Sequence, residues 1–298
     1  MIFLTLYTCC IFKTVVETGS FIKASKELNL TPSAISHAIS AFEDEVGFPL
    51  FIRTRTGVRL TVNGEKLLPD ILRLLRDEEH LKQEAFQIKG ISNGTVRIAS
   101  ISSITISWLT KIIKSFKEKY PNINVHLYEG GYDDIKYWVD TAAVDIAFVT
   151  KDLLPDRDVL LLHKDMMMCL TPKDFIPENE TYITGEELKE FPIIMQVHGN
   201  SRDISRILKK YSISSDASYY IRSNSAIMSM VENGLGMSIL PKLLFEYDTH
   251  NINLYPFNPP EYRTIGIYCL YPESISPAAK KMRDEILSFM QKNDLINI

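Results

Sequence analysis

Residues 31–42 read TPSAISHAISAF, with Ala34, Ile35, Ala38, Ile39 and Phe42 recurring at three- and four-residue spacing. That period gathers them on one face of a helix that has to meet a core. Thr31 is placed to cap this helix, and Pro32 fits its first position, where the missing N–H costs nothing. The opposite face carries Ser33, Ser36, His37 and Ser40, short enough to let the backbone enter a major groove about 12 Å wide. The segment before it, Ser20 to Leu28, repeats the pattern: Ser20 caps, Phe21, Ala24 and Leu28 face inward, and the chain turns at Asn29. Ile11, Phe12, Val15 and Val16 predict a first helix that stops at Gly19. Three such helices bury one small core and leave the third projecting. Residues 49–52 and 58–60 then read as short strands around the turn Thr54-Arg55-Thr56-Gly57. Arg53, Arg55 and Arg59 lie in or beside that turn, in reach of phosphates or a minor groove.

This layout is a winged helix-turn-helix, and the stretch resembles the N-terminal domain of LysR-type transcriptional regulators. The matching residues are Phe12, Glu17, Gly19-Ser20-Phe21, Ala24, Leu28, Ala34, Ser36, Ile39, Glu43, Gly47, Leu50-Phe51, Arg53, Leu60-Thr61 and Gly64, in register without a gap. Pro32 departs from the pattern, because the family usually carries Gln there. The expected DNA-facing set is Thr31, Pro32, Ser33, Ser36, His37, Ser40, Arg53 and Arg55.

From Gly64 to about Lys89 the sequence has no glycine after the first residue, and Leu67, Ile71, Leu74, Glu78, Leu81, Ala85 and Ile88 alternate steps of four and three. That is a heptad seam, interrupted at Glu78. It reads either as a dimer seam or as an ordinary amphipathic helix packed on its own domain. In the resembled family this helix pairs antiparallel between two subunits, and two dimers form a tetramer.

After the polar hinge of residues 89–94, strand-like and helix-like segments alternate, which predicts a parallel sheet with helices on its faces. The predicted strands cover 95–99, 124–128, 144–149, 166–170, 192–196, 218–221 and 262–271. The predicted helices cover 106–119, 133–139, 184–189, 202–210, 225–233 and 277–292. The phrases KEKYPNINVHLYEG, VDIAFVT, LKEFPII and VENGLGMSILP resemble the family's effector domain. That resemblance implies two α/β lobes like those of periplasmic binding proteins. The expected organisation is a DNA-binding domain at 1–62, a linker helix at 63–90 and an effector domain at 91–298. Its first lobe is expected at 91–161 and 262–298, its second at 162–261.

In open α/β folds ligands sit beyond the carboxyl ends of strands, against helix N-termini. Ser100, Ser102 and Ser103 follow one predicted strand, Thr150 ends another, and Gln196 leads into His198-Gly199-Asn200-Ser201-Arg202. Ser225 lies at a fourth strand end. This set is expected to hold a small polar or anionic effector, although each residue alone is equally well a helix cap. Arg202 is the one cation in these segments suited to pair with an anion.

Charge and cysteines narrow the function. The net charge is −4 over 298 residues, and residues 1–60 carry six cations (Lys13, Lys23, Lys26, Arg53, Arg55, Arg59) against five acids (Glu17, Glu27, Glu43, Asp44, Glu45). Charge alone therefore does not coat nucleic acid; placement and doubling of the module have to supply affinity. Cys9, Cys10, Cys169 and Cys269 show no metal or redox spacing, and read as reduced thiols. The six histidines match no metal or triad signature, and no hydrolase, P-loop or dinucleotide motif occurs. No cofactor is expected, and no run of about 18 apolar residues occurs, so a cytoplasmic location is expected.

The expectation is thus a homo-oligomeric, effector-controlled regulator that binds double-stranded DNA, and not an enzyme. Two alternatives remain: a ligand carrier, which would have no use for residues 12–61, and a repressor whose C-terminal half serves assembly only.

Overall fold

The computed structural model describes residues 4–54, 57–197, 201–214, 218–245 and 251–298. The chain forms two compact units, Met1–Ser92 with Asp140–Ala143, and Asn93–Val139 with Val144–Ile298.

The first unit opens with α1 (Leu6–Thr18), α2 (Phe21–Glu27) and α3 (Pro32–Val46). Thr5, Ser20 and Thr31 each accept a hydrogen bond from a backbone N–H three residues on, satisfying donors that a helix start leaves open. Gly19 and Gly47 end α1 and α3 in the left-handed region, at φ 60° and 82°. Phe12, Val15, Ala24, Ile35, Ile39 and Phe42 are buried together, with the Phe12 ring 6.0 Å from Phe42 and 5.0 Å from Phe51. Ala34 departs from expectation and is exposed, because the face centred on Ile35 and Ile39 leaves it on the flank.

The wing is a hairpin of β1 (Phe51–Thr54) and β2 (Gly57–Leu60), pairing Phe51 with Leu60 and Thr54 with Gly57. Its first strand starts two residues later than the sequence suggests. Pro49 has no N–H, and the N–H groups of Leu50 and Phe51 donate to Glu43 Oε1 at 2.6 and 3.0 Å. Gly57 sits at φ 143°, where a Cβ would come within 2.7 Å of Gly19 O, the acceptor of Val58 N at 2.9 Å. Only glycine lets the wing close on the α1–α2 turn.

Thr61 caps α4 (Val62–Ile88), which at 27 residues is about 40 Å long. The heptad seam divides along it. Ile71 is buried and Leu67 half-buried against the helix-turn-helix core, whereas Leu74, Leu81 and Ile88 are exposed, the last at 85%. Glu78 is paired with Lys82 one turn on.

The second unit starts with β3 (Gly94–Ser100), followed by α5 (Ser102–Ile104), a π-helical turn (Thr105–Leu109) and α6 (Thr110–Lys119). Then come β4 (Ile123–Glu129), α7 (Tyr132–Asp140), β5 (Ile146–Thr150) and the long β6 (Leu160–Pro172). A second α/β set follows: α8 (Gly185–Lys189), β7 (Ile194–Gln196), α9 (Ser201–Lys210), β8 (Tyr219–Ile221), α10 (Asn224–Glu232) and β9 (Ser238–Pro241). The 18-residue β10 (Ile252–Cys269) and α11 (Pro277–Lys292) close the chain.

The sheet is mixed, not parallel throughout. Its order is β4-β3-β5-β10-β6-β9, with β3 parallel to β4 and β5, and the other neighbours antiparallel. Two long strands, β6 and β10, cause the difference by running beside each other through both α/β sets. Their ladder breaks between Pro256 and Glu261, where Pro259 and Pro260 offer no N–H. β7 and β8 form a separate parallel pair. Trp108, Phe116, Phe148, Met282 and Ile286 fill the first lobe, and α11 packs on β3 and α6. Met167, Ile183, Ile193, Ile204, Ile207 and Phe257 form one core of the second lobe. Ile194, Ile227, Val231 and Leu240 form another.

Candidate nucleic-acid interface and ligand cleft

The outward face of α3 follows from its caps and its buried stripe. Thr31, Pro32, Ser33 and His37 are exposed, and Ser36 and Ser40 are half-buried. Thr31 and Ser33 share a hydroxyl contact of 3.0 Å while Thr31 also holds Ala34 N, so the first turn is fixed. Arg53 is exposed on β1 and is held in place by two contacts. Its Nη2 donates to Ser36 Oγ at 2.9 Å, and its guanidinium lies 4.8 Å from the centre of the Phe21 ring. Two residues expected to meet DNA separately are thus bound to each other across α3 and β1. Arg55 lies outside the described residues. Beside the wing, a cavity of about 480 Å³ is bounded by the Thr18–Ser20 turn, Thr54, Gly57 and Val58, with Lys23 and Arg59 on its walls. The sequence reading gave Lys23 no role; only the closure of the wing onto the α1–α2 turn brings it near Arg59.

In the second unit the strand ends of the two lobes are joined by polar side chains. Ser102 Oγ accepts from Asn224 Nδ2 at 3.0 Å, and Gln196 donates to Asn224 Oδ1, linking α5, β7 and α10. Ser103 Oγ accepts from Arg263 Nη2 at 2.7 Å. Arg263, fully buried on β10, also donates to Asp165 Oδ2 through Nε at 2.9 Å and Nη2 at 2.6 Å. Tyr132 OH donates to Asp203 Oδ2 at 2.7 Å, and both residues are buried. Burial pushes the Tyr132 hydroxyl up, holding it as a donor. Arg206 Nη1 and Lys210 both reach the buried Glu261, the former at 3.1 Å.

The expected ligand set therefore divides. Ser102, Ser103 and Gln196 join this network. Ser100 is buried and donates to its neighbour Ile101 O at 3.1 Å, and Thr150 is buried at the end of β5. Two residues of the expected set stand apart from the network. Arg202 is exposed and paired with Asp133 at 3.2 Å, because Asp133 opens the first turn of α7 opposite it. Ser225 is exposed and meets Ser223 Oγ at 2.8 Å, so Asn224, its neighbour, makes the cross-lobe bond instead. His198, Gly199 and Asn200 lie outside the described residues.

Arg263, the central cation, was missed. Its signal was a charge inside the otherwise apolar Tyr262–Tyr271 segment, matched by Asp165 inside His163–Leu170. These two are register partners on β10 and β6.

The four thiols are free. Burial raises Cys9 and Cys169, and it lifts Cys269 to about 11, so their thiolate forms are scarce at neutral pH. Among the described residues no group of three His, Cys, Asp or Glu is placed to hold a metal, and no helix is long and apolar enough to cross a membrane.

Residues 8–65 match the bacterial regulatory helix-turn-helix protein of the lysR family, and residues 89–291 match the LysR substrate binding domain. YvbU of Bacillus subtilis (strain 168), named an uncharacterized HTH-type transcriptional regulator, is 31% identical over 236 residues, 78% of this chain and 80% of its own. LrrA of Synechococcus elongatus, a probable HTH-type transcriptional regulator, is 30% identical over 237 residues, covering 78% and 79%. A full-length OxyR variant from Pseudomonas aeruginosa superposes with a TM-score of 0.75 over 98% of this chain and 96% of that one. At 19% identity that likeness concerns the fold. The chain belongs to the LysR family of bacterial transcriptional regulators, with a DNA-binding helix-turn-helix ahead of an effector-binding domain.

Proposed function

We propose that this regulator is switched by a small polar or anionic molecule held where Ser102, Ser103 and Gln196 meet Asn224 and Arg263. The observation that carries this reading is the buried polar network between the lobes. Burying so many donors and acceptors is costly unless each is paired. Two of these bonds, Asn224 to Ser102 and Tyr132 to Asp203, run between the lobes, where a ligand can replace them. Ligand binding then shifts the balance between lobe arrangements, and with it DNA affinity.

On the DNA side, Ser33, Ser36, His37 and Ser40 read bases from a recognition helix capped by Thr31 and Pro32. Arg53, Arg55, Arg59 and Lys23 meet phosphates. The exposed Leu74, Leu81 and Ile88 join two copies, supplying the second module that a nearly neutral domain needs. The domain limits that fit this reading are 1–62, 63–90 and 91–298.

One observation favours a second reading. Arg206, Lys210 and Arg263 balance Asp165, Asp203 and Glu261, so the cleft is electrically complete, as in a domain that serves assembly alone. A thermal-shift screen of metabolites on the full chain separates the two. The first reading expects a ligand whose stabilisation is lost in Ser102→Ala and Asn224→Ala. The absence of any such ligand supports the second.

A further inference from the structure

The contact between α7 and α9 suggests which chemical group the cleft takes, and this rests on reading that cleft as the effector site. Tyr132 and Asp133 open α7, and Arg202 and Asp203 lie in the first turn of α9. They bond crosswise, Tyr132 OH to Asp203 at 2.7 Å inside and Arg202 to Asp133 at 3.2 Å at the surface. The inner pair borders Arg263, whose guanidinium also holds Ser103 at 2.7 Å. Tyr132, Arg263 and Ser103 are all buried, and the first two are donors to whatever lies between them. Into this donor set α9 inserts one carboxylate.

We propose that Asp203 is a built-in substitute for the effector's own carboxylate, and that a ligand carrying one carboxylate binds by displacing Asp203 from Tyr132, beside the Arg263 guanidinium that Asp165 holds. Displacement breaks the inner bond between α7 and α9 and leaves the exposed Arg202–Asp133 pair. This couples occupancy to lobe arrangement without any further device.

Charge makes the exchange measurable. The groups acting on Asp203 are Tyr132 from α7, Arg263 from β10, Arg206 on its own helix at 3.9 Å, and Asp152 beyond β5. Burial raises the Asp203 carboxyl above its ordinary value, Asp152 adds to this, and Tyr132, Arg263 and Arg206 oppose it. Once the incoming carboxylate takes Tyr132 and lies beside Arg263, two of the three opposing contributions weaken, Arg206 remaining, and the Asp203 carboxyl is pushed further toward its protonated form. Binding is therefore linked to proton uptake, and affinity falls as pH rises.

The test uses propionate as the carboxylate and propionamide as its neutral match, titrated into the full chain at constant ionic strength at pH 6 and pH 8. Wild type is expected to bind propionate several-fold more tightly at pH 6 and to take propionamide no better at either pH. Asp203→Asn removes the competing charge, so propionate binds on the order of tenfold more tightly and the pH dependence disappears. Tyr132→Phe removes a donor that the ligand needs, so propionate binds more weakly than to wild type. Tyr132→Phe breaks this bond and Asp203→Asn weakens it to a neutral acceptor, so mere loosening of the lobes would move both in one direction. Asp203→Ser repeats the comparison with a side chain too short to keep Tyr132. Equal affinity in wild type and Asp203→Asn, changes of one sign in both variants, or no binding to Asp203→Asn overturns the proposal. An effector that depends on Ser102 and Asn224 but is indifferent to Asp203 also overturns it, while leaving the cleft reading in place.

Discussion

Ser33 and His37 are exposed on the first turns of α3, while Ser36 is engaged by Arg53. This separates two kinds of substitution. Ser33→Ala or His37→Ala should change which bases are preferred, by about 1–3 kcal/mol for each specific hydrogen-bonded pairing with a base edge. Lys23→Ala or Arg59→Ala should weaken binding to every sequence alike and lower the salt dependence by about one counterion each. Selection from random duplexes, repeated at two salt concentrations, checks both. Much of this face was legible in the sequence, because caps and a 3.6-residue period depend on near neighbours. Glu43 stood in the family pattern without a physical reason until the fold brought Leu50 N and Phe51 N to its carboxylate. Arg263 was illegible for a related reason. Its partners Asp165 and Ser103 lie 98 and 160 positions away, the first brought to it by strand register and the second by α5.

Among the elements, α4 has two jobs along one stripe. Its first turns pack Leu67, Leu68 and Ile71 against the helix-turn-helix, and its later turns leave Leu81 and Ile88 exposed. Leu81→Glu with Ile88→Glu should abolish the oligomer while barely changing the folding of the first unit. Ile71→Ala should instead destabilise that unit by about 2–5 kcal/mol. Light scattering and thermal unfolding distinguish the two.

The tie between α6 and α11 gives a pH prediction. Burial alone would raise the Glu285 carboxyl, but hydrogen bonds from Lys119 at 2.6 Å and Ser115 at 2.8 Å outweigh it and hold it below the ordinary value. A carboxyl depressed in the folded state contributes stability above its unfolded pKa and loses it as pH falls through the folded one. Glu285→Gln should therefore lower stability at pH 7 by under about 1 kcal/mol, since Lys119 is half exposed, and the gap to wild type should close as pH falls through the depressed pKa of the folded state. Helices were read well from the sequence. Strands were read less well, since β6 extends past its apolar centre into His163-Lys164-Asp165, and β9 follows a glycine-rich turn that masks it.

At the scale of the whole molecule, one unit carries the recognition helix and the other the polar cleft. The order of domains was legible because two family patterns run through the chain. The mixed sheet was not, because alternating strand and helix signals do not reveal that β6 and β10 pair across 80 or more residues.

The central claim is that a small molecule in the cleft controls DNA binding. The most direct measurement titrates a ligand from the screen into the full chain bound to a duplex recovered by selection, for wild type and for Asn224→Ala. The account predicts a ligand-dependent change of about 5- to 150-fold in wild-type DNA affinity, abolished in Asn224→Ala while ligand-free DNA binding stays intact. A ligand that binds the chain but leaves DNA affinity unchanged, or acts equally on Asn224→Ala, would contradict it.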